Sequence, residues 1–226
     1  TQGHYQPLKG KKVVITAGPT RERIDPVRYV SNFSSGKMGY AMAAAAQKLG
    51  AETVLISGPV ELTVPSGVQI IHVESAADMY DAVLSQFDDA SIVVKSAAVA
   101  DYRPKSVHTQ KMKKKAGDDV LELERTTDIL KSLGDRKEHQ LLIGFAAETT
   151  DVIAYGQKKL ESKNLDYIIV NDVTDPGGGF GSDTNVVTLL SREGEATPFT
   201  AMPKDQLAVR LFETILQQEG GKLDVR

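Results

Sequence analysis

The sequence predicts an α/β protein in which a Rossmann-like, mostly parallel sheet carries helices on both faces. Three observations lead to this class. Short runs rich in β-branched residues recur along the chain, as in residues 11–17 and 52–57. Segments with apolar residues at helical spacing separate many of these runs, as in residues 76–87. Such alternation is typical of parallel strands joined by crossover helices that cover the sheet.

The first half of the chain follows this order closely. Gly-Pro pairs at residues 18–19 and 58–59 mark the ends of the first two predicted strands. Strands are predicted for residues 11–17, 52–57, 68–73 and 90–97, with a helix over 76–87 before the last of them.

A loop that leads into a helix, residues 25–50, organises the other elements. Ser34 or Ser35 is predicted to cap the helix, and Gly50 to end it in a left-handed conformation. Five alanines between residues 41 and 46 would let the helix pack closely on a strand. Its free N–H groups and dipole favour an anion in front of its first turn.

A basic segment interrupts the alternation after residue 102. Residues 103–117, called the flap below, contain six cationic side chains and little periodicity, so we predict that this segment is flexible. A short strand at residues 120–123 and a helix from residue 126 are predicted to follow.

Regular order then resumes to the end of the chain. Strands are predicted at residues 141–145 and 167–170, around a helix over 150–164. After a Gly-rich loop at 177–181 come a hairpin of residues 186–190 and 196–200 and a closing helix to about residue 218, with Pro203 in its first turn. We predict a tail or linker at residues 1–10 and a single nucleotide-binding domain over 11–226.

Composition excludes several classes of function. The formal net charge of −3 argues against a general nucleic-acid-binding protein. The absence of cysteine excludes disulfides, thiolate metal sites and a cysteine nucleophile. The four histidines have no metal-ligand spacing, and no apolar run is long enough to cross a bilayer. We therefore expect a cytoplasmic protein that binds neither nucleic acid nor membrane and has no metal site of its own.

Two common phosphate-binding loops are missing. No G-x-G-x-x-G follows the first predicted strand, which argues against a dinucleotide site. The segment SSGKM lacks the first glycine of a Walker A loop, because Ser31 stands at that position. A sheet of this class still binds ligands beyond the carboxyl ends of its strands, where residues 18–32, 96–102 and 145–149 are expected.

Cationic and amide side chains in these regions are candidates for binding an anionic substrate. Arg28 can pair with a carboxylate or phosphate and Asn32 can orient an acyl group, although a surface arginine and a turn-forming asparagine are the alternative. The flap lysines could close over phosphates, but charge runs are more often solvated surface. Lys159 and Lys163 share one helix face, for which an exposed stripe is the alternative.

Five blocks of the sequence together resemble one enzyme family. They are ITAGPTRERIDPVRYVSNFSSGKMG, SAAVADYRP, QKMKKK, GFAAET and VNDV, which run in order through nearly the whole chain. The family is that of the phosphopantothenate–cysteine ligases, also called phosphopantothenoylcysteine synthetases. In many bacteria the enzyme is the C-terminal half of a bifunctional protein whose N-terminal half is a flavin-dependent decarboxylase. This sequence contains no flavodoxin-like half, so we do not expect decarboxylase activity.

The resemblance implies a reaction and its reactants. The bacterial family activates 4′-phosphopantothenate with CTP, which gives an acyl-cytidylate and pyrophosphate. The amine of L-cysteine then attacks the acyl carbon and releases CMP. Mg²⁺ would enter with the nucleotide phosphates. The resemblance also implies a homodimer whose subunits complete each other's sites, and a higher assembly when the domain is fused to the decarboxylase. The late hairpin of residues 186–200 is our candidate for part of the dimer interface.

The resemblance further implies roles for individual residues. Asn32 and Lys111 match catalytic residues, and Arg28, Asn32 and Ala98 match residues that bind the substrate or the intermediate. The positions that match CTP contacts are Lys95, Ser96, Ala97, Asp101, Lys111, Thr127, Asp128, Ile129, Leu130, Phe145, Lys159 and Lys163.

Three other functions share part of this pattern. A nicotinamide-dependent reductase would have similar strands and helices, but it would need glycines after the first strand. An ATP-dependent ligase would keep the chemistry with a different base pocket. A non-catalytic binding or assembly module is the alternative from another class, and the presence of Asn32 and Lys111 argues against it.

Overall fold

The computed structural model describes residues 5–173 and 183–220, which contain twelve strands and five helices. The strands are β1 (Lys12–Ala17), β2 (Glu22–Arg23), β3 (Tyr29–Val30), β4 (Glu52–Ser57), β5 (Gln69–His72), β6 (Ile92–Lys95), β7 (Tyr102–Pro104), β8 (Leu123–Arg125), β9 (Leu141–Glu148), β10 (Tyr167–Asp172), β11 (Thr184–Ser191) and β12 (Ala196–Pro203). The helices are α1 (Lys37–Lys48), α2 (Ala76–Phe87), α3 (Ile129–Arg136), α4 (Val152–Ser162) and α5 (Lys204–Glu219).

Eight of the strands form one sheet in the order β12-β11-β10-β9-β6-β1-β4-β5. The six strands from β10 to β5 are parallel, and β11 and β12 continue the sheet in antiparallel pairing. In this sheet, β4 and β5 follow β1 on one side, and β6 then pairs with β1 on its other side. The topological switch point therefore lies between β1 and β6, where this class of sheet binds ligands.

Helices cover both faces of the sheet, as predicted. Alternate β1 residues point to opposite faces, so Val13 and Ile15 pack in one core cluster and Val14 in the other. The first cluster includes buried side chains of α1 and α5, and the second includes side chains of α2, α3 and α4. The predicted fold class is confirmed, whereas the role of the β11–β12 hairpin in dimerisation stays a prediction.

The N-cap of α1 is Gly36, so the predicted serine cap is wrong. Gly36 has φ +79°, a conformation that favours glycine, and an added Cβ would lie 2.9 Å from Val60 Cγ1. Ser35 Oγ accepts a hydrogen bond from the Lys37 N–H at 3.3 Å, but it does so from outside the cap position. Gly50 follows the helix with φ +98°, which confirms the predicted left-handed stop.

Close packing of α1 on β1 requires Gly39. An added Cβ there would lie 2.4 Å from Ala17 Cβ and 2.7 Å from Ser96 Oγ. We expect Gly39→Ala to destabilise the protein by about 1–3 kcal/mol through overpacking, even though alanine favours helix more than glycine. Denaturant unfolding would measure this loss. Ala44→Ser, at an exposed position on the same helix, should change little, and wild-type stability of Gly39→Ala would contradict the packing argument.

Part of the predicted tail is packed against the domain. Leu8 is fully buried in the first core cluster, and its N–H donates to Leu49 O at 2.9 Å. Residues 6–10 therefore form a turn on the folded unit, and residues 1–4 lie outside the described residues. The single-domain assignment of residues 11–226 stays a prediction.

The base of the flap is a two-stranded ribbon of β7 and β8. The strand predicted at residues 120–123 instead begins at Leu123, because the hydrogen-bonding partner β7 sets the register and pairs Tyr102 with Arg125. Val120 is 83% exposed, so its hydrophobicity marks no buried strand.

The predicted late elements appear as β9, α4, β10, the β11–β12 hairpin and α5, with Pro203 as the N-cap of α5 rather than in its first turn. The Gly-rich loop at residues 177–181 lies outside the described residues.

Candidate active site

A cleft of about 390 Å³ opens at the switch point between β1 and β6, and we call it the central cleft. The N-terminal turn of α1, the turn after β6 and the carboxyl end of β9 form its walls. Its lining includes Ala98, which was predicted to bind the substrate or intermediate, and six of the residues predicted to bind the nucleotide: Lys95, Ser96, Ala97, Asp101, Phe145 and Lys159.

The turn after β6 is held by hydrogen bonds to Thr16 of β1 and to Gly18, just after that strand. Ser96 Oγ donates to Thr16 O at 2.6 Å, and Thr16 Oγ1 accepts a bond from the Ala97 N–H at 3.2 Å. The Ala98 N–H donates to Gly18 O at 3.0 Å. These bonds fix the turn to the neighbouring strand, so its backbone has a defined position at the edge of the cleft.

Asn32 holds the other side of the same turn. Its Nδ2 donates to Ala98 O at 2.8 Å, and its Oδ1 accepts a bond from the Ser34 N–H at 3.0 Å. The Asn32 side chain therefore links the loop before α1 to the turn after β6, and it brings Asn32 and Ala98 together as the resemblance implies. Their roles toward a substrate stay predictions.

A second concavity of about 350 Å³, the lateral cleft, lies beside the central cleft and shares Lys95, Val99 and Asp101 with it. The β7–β8 ribbon and the N-terminal turn of α3 complete its walls. The predicted nucleotide contacts Thr127, Asp128, Ile129 and Lys163 line this cleft. Leu130 is not part of this lining and instead buries its side chain in the second core cluster, so its predicted contact with the nucleotide stays a prediction.

A lysine of each cleft forms an ion pair with a carboxylate. Lys163 Nζ lies 3.3 Å from Asp128 Oδ2, and Lys159 Nζ lies 3.1 Å from Glu148 Oε1. Desolvation raises the pKa of Asp128, but the Lys131 N–H bond and the Lys163 charge outweigh it, so the net shift is downward. Asp128 therefore stays ionised and caps α3 through the Lys131 N–H at 3.0 Å.

Lys95 is the partly buried cation between the clefts. Burial, aided by the Lys163 and Lys159 charges, lowers its pKa to about 8, although Asp128 and Asp101 oppose the shift. A lysine in this state carries a charge that the protein solvates poorly. An anionic ligand would favour the protonated form and supply the missing partner charge.

We expect Lys95→Met to raise the melting temperature of the unliganded protein at pH 7 by about 2–4 °C, the shift that roughly 1 kcal/mol gives in a chain of this size. The folded-state pKa lies below the ordinary 10.5, so the unfolded chain binds more protons between pH 8 and 10.5. The penalty of burying this charge is complete below pH 8 and disappears as the pH rises through that range.

Thermal melts at pH 7 and pH 10, with and without a nucleoside triphosphate, would measure both effects. The gain of Lys95→Met should shrink at pH 10, and the stabilisation by nucleotide should be smaller than in the wild type. Lys158→Met replaces an exposed lysine of α4 and serves as the matched control. A lower melting temperature of unliganded Lys95→Met at pH 7 would contradict this account of the charge.

The predicted flap residues lie in a third concavity. Arg28 and Lys111 line a cavity of about 790 Å³ with Met112 and the neighbouring flap residues, and we call it the flap cavity. Neither residue is part of the lining of the central or the lateral cleft. The structure therefore brings Arg28 and Lys111 together, but in this conformation neither lines the clefts that contain the other predicted nucleotide contacts.

Several polar residues of the central cleft were not predicted. They are Lys37, Asn171, Asn185 and Lys204. Lys204 Nζ donates to Asn185 Oδ1, and burial lowers the pKa of Lys204. Among the described residues, Asn171 Oδ1 is the buried side-chain atom without a hydrogen-bond partner. Lys37 and Asn171 lie in the quoted blocks SSGKMG and VNDV, whereas Asn185 and Lys204 carry no local signal.

Asp25 is a further residue that sequence reasoning missed. Its carboxylate is buried and accepts hydrogen bonds from Arg28 and from the flap. The hydrogen bonds from Arg28 hold the pKa of Asp25 well below its usual range. The block IDPVRY contains this residue, but nothing in the sequence connects it to a segment almost ninety residues away.

Within residues 5–173 and 183–220, no three His, Asp or Glu side chains come close enough together to hold a metal ion. In the same part of the chain, no helix combines the length and apolarity needed to span a membrane.

The sequence model of one protein family, described as the DNA/pantothenate metabolism flavoprotein C-terminal domain, matches residues 8–218. The chain belongs to this family. A relative from Bacillus subtilis (strain 168), the coenzyme A biosynthesis bifunctional protein CoaBC, is 55% identical over 210 residues, which are 92% of this chain and 52% of the relative. This member of the family thus spans about half the length of the curated relatives that it matches.

Solved structures agree with this assignment. The crystal structure of the C-terminal domain of CoaBC aligns with a TM-score of 0.82 at 48% identity, over 94% of this chain and 97% of that one. A mutant of Cab2 in complex with phosphopantothenate-cysteine aligns with a TM-score of 0.74 at 14% identity, over 92% and 87% of the two chains. The second likeness shows that the fold is shared.

Proposed function

We propose that this domain catalyses the CTP-dependent ligation of 4′-phosphopantothenate and L-cysteine, a step in coenzyme A biosynthesis. The products are 4′-phosphopantothenoylcysteine, CMP and pyrophosphate. The proposal rests on family membership, on relatives named for coenzyme A biosynthesis, and on a fold neighbour whose bound ligand is phosphopantothenate-cysteine.

The observation that carries the proposal is the chemistry of the central cleft at the switch point. The N-terminal turn of α1, which includes Lys37, lines one side of this cleft, and Lys95, Lys159 and Lys204 line other parts of it. A helix N-terminus and several cations suit a nucleoside triphosphate. Mg²⁺ is assigned to the nucleotide phosphates as part of the substrate.

In the first half-reaction, a carboxylate oxygen of 4′-phosphopantothenate attacks the α-phosphorus of CTP. The new P–O bond gives the acyl-cytidylate, and the bond to the β-phosphate oxygen breaks to release pyrophosphate. This step needs charge neutralisation and alignment more than a protein nucleophile. Lys95, Lys159 and Lys163 supply positive charge around the two clefts, and Lys111 supplies it from the flap.

In the second half-reaction, the amine of L-cysteine attacks the acyl carbon. The amide forms, the carbon–oxygen bond to CMP breaks, CMP leaves as the phosphate anion, and the proton of the amine passes to water. The role assigned to Asn32 is to hold the loop and the Ala98 turn around the acyl group, since its side chain bridges them. An amide does this without adding a charge that would oppose the departing phosphate.

The nucleotide requirement is the part of the proposal that needs a direct test. The protein is incubated with 4′-phosphopantothenate, L-cysteine and Mg²⁺, with either CTP or ATP, and the products are identified by mass spectrometry. The proposal expects the amide and CMP with CTP and loss of turnover when EDTA removes Mg²⁺. Product with ATP but not with CTP would support a ligase and contradict the CTP requirement. No product with either nucleotide would contradict the proposed reaction.

We also propose a homodimer, as the resemblance implies. The large apolar side chains that are most exposed among the described residues include Phe33 at 96%, in the loop before α1, and Val120 at 83%, between the flap and β8. The β12 strand exposes alanine, proline and threonine side chains and buries Phe199. Sedimentation equilibrium of the protein would decide between a dimer and a monomer.

A further inference from the structure

Asp25 joins two segments that are distant in the sequence. Its Oδ1 accepts bonds from the Val27 and Arg28 N–H groups, both at 2.9 Å. Its Oδ2 accepts bonds from Arg28 Nε at 3.1 Å, Arg28 Nη2 at 2.5 Å and the Met112 N–H at 3.1 Å. The two carboxylate oxygens thus have different tasks. Oδ1 closes the local turn, whereas Oδ2 contacts the arginine side chain and the flap.

The contact with the flap involves both polar groups of Met112. Its N–H donates to Asp25 Oδ2, and its carbonyl accepts a bond from Arg28 Nη2 at 3.3 Å. A second backbone bond lies nearby, from the His108 N–H to Ile24 O at 3.0 Å. The flap is therefore docked on the loop that follows β2, and Lys111 directly precedes the docked Met112.

The charges on this contact are arranged to keep it closed. Asp25 is only 1% exposed, and its hydrogen bonds hold its pKa well below the usual range, so the carboxylate stays ionised at physiological pH. Residues 111–115 carry four lysines that repel one another. A buried anion that holds the backbone of this segment offsets part of that repulsion, and a hydrogen bond to a charged acceptor is stronger than one to a neutral acceptor.

We propose that Asp25 is a positioning residue that holds the flap in its docked position and thereby fixes Lys111 and Arg28 next to each other. We call the hydrogen bonds of Asp25 Oδ2 to Arg28 and Met112 the latch. The inference builds on the proposed ligase function for its kinetic consequence, while the docking itself is independent of that function. Asp25 does not line any of the three concavities described above, so it acts through its two neighbours rather than on a substrate.

The two tasks of the carboxylate allow a selective variant. Asp25→Asn keeps an oxygen that can accept the Val27 and Arg28 N–H bonds of the turn. The oxygen that faces Arg28 and Met112 becomes an NH₂ group, which cannot accept their N–H groups. Met112→Pro attacks the latch from the flap side, because proline has no N–H, and it leaves the buried carboxylate unchanged. Met112→Ala keeps the N–H and is the matched control.

The first readout is the rate of tryptic cleavage after Lys113, Lys114 and Lys115, followed by peptide mass mapping. The bond after Lys111 is left out, because trypsin does not cleave before the proline of Met112→Pro. Loss of a charged hydrogen bond should make cleavage of Asp25→Asn and Met112→Pro about tenfold faster than that of the wild type, while Met112→Ala cleaves like the wild type. This assay needs no activity, so it tests the latch even if the ligase proposal fails. Wild-type cleavage rates in both latch variants would overturn the inference.

The second readout is the kinetics of the ligation. Asp25→Asn and Met112→Pro should lower kcat by a similar factor of about ten, with little change of kcat in Met112→Ala. If Asp25 only stabilised the fold, Met112→Pro would not be expected to lower kcat by the same factor as Asp25→Asn. If flap cleavage accelerates but kcat is unchanged in both latch variants, the positioning role is refuted. A wild type without any ligase activity would refute the proposed function instead.

Discussion

Lys111→Gln is expected to lower kcat/KM for the ligation by about 10²–10³-fold while leaving the fold intact. Lys111 is exposed on the flap, lines the flap cavity with Arg28 and belongs to neither core cluster. The loss is expected to come from charge stabilisation of the nucleotide or the acyl-cytidylate when the flap closes over the clefts. Initial-rate kinetics and a thermal melt of the same preparation would measure the two quantities separately.

Lys105→Gln provides the matched control for this variant. It removes one exposed lysine from the same flap, at a position outside the lining of the flap cavity. Its turnover should stay close to that of the wild type. A large drop in the melting temperature of Lys111→Gln would show that Lys111 is structural, and equal losses in both variants would show that only the total charge of the flap matters.

Asn32→Asp is expected to let the acyl-cytidylate form but to slow its reaction with cysteine by about 10²-fold. The Asn32 Nδ2 donates to Ala98 O at 2.8 Å, and aspartate would place a carboxylate oxygen against that carbonyl. The bond from the Ser34 N–H can survive, because aspartate still accepts it. We therefore expect the turn at Ala98 to be displaced, while the loop around Asn32 and Ser34 keeps its local conformation.

Mass spectrometry of reactions stopped at early times would detect the accumulated phosphopantothenoyl-cytidylate. Ser31→Ala is the control, because it removes the hydrogen bond from Ser31 Oγ to Thr20 O at 2.8 Å in the same loop without touching Asn32. It should not accumulate the intermediate. Turnover of Asn32→Asp at the wild-type rate would rule out the role that we assign to Asn32.

The parts of the fold that depend on local signals could be predicted from the sequence. The predicted bounds of β4 and α2 agree with the observed ones, because a buried β-branched run ends at Gly58 in the first case and a Ser75–Asp78 capping box begins the helix in the second. The cap of α1 could not be predicted in this way. Gly36 is required there because Gly18 and Val60, from other parts of the chain, approach it closely.

The residues of the candidate site could likewise be predicted only where local signals or the resemblance pointed to them. The rule that ligands bind beyond the carboxyl ends of parallel strands predicted the region of the central cleft. The resemblance supplied fewer than half of the residues that line it and the lateral cleft. Asn185 and Lys204 reach the cleft only through the antiparallel addition of β11 to β10 and the start of α5, and the sequence gives no local sign of either. Asp25 contacts Met112 through the docked flap, a pairing that depends on tertiary structure.

The measurement that tests the central claim most directly follows pyrophosphate and CMP in the same reaction. The protein is mixed with 4′-phosphopantothenate, Mg²⁺ and one nucleoside triphosphate at a time, with and without L-cysteine. The account predicts that CTP yields pyrophosphate before cysteine is added, and that CMP and the amide appear only afterwards. Absence of pyrophosphate with every nucleotide, or release that does not require 4′-phosphopantothenate, would contradict it.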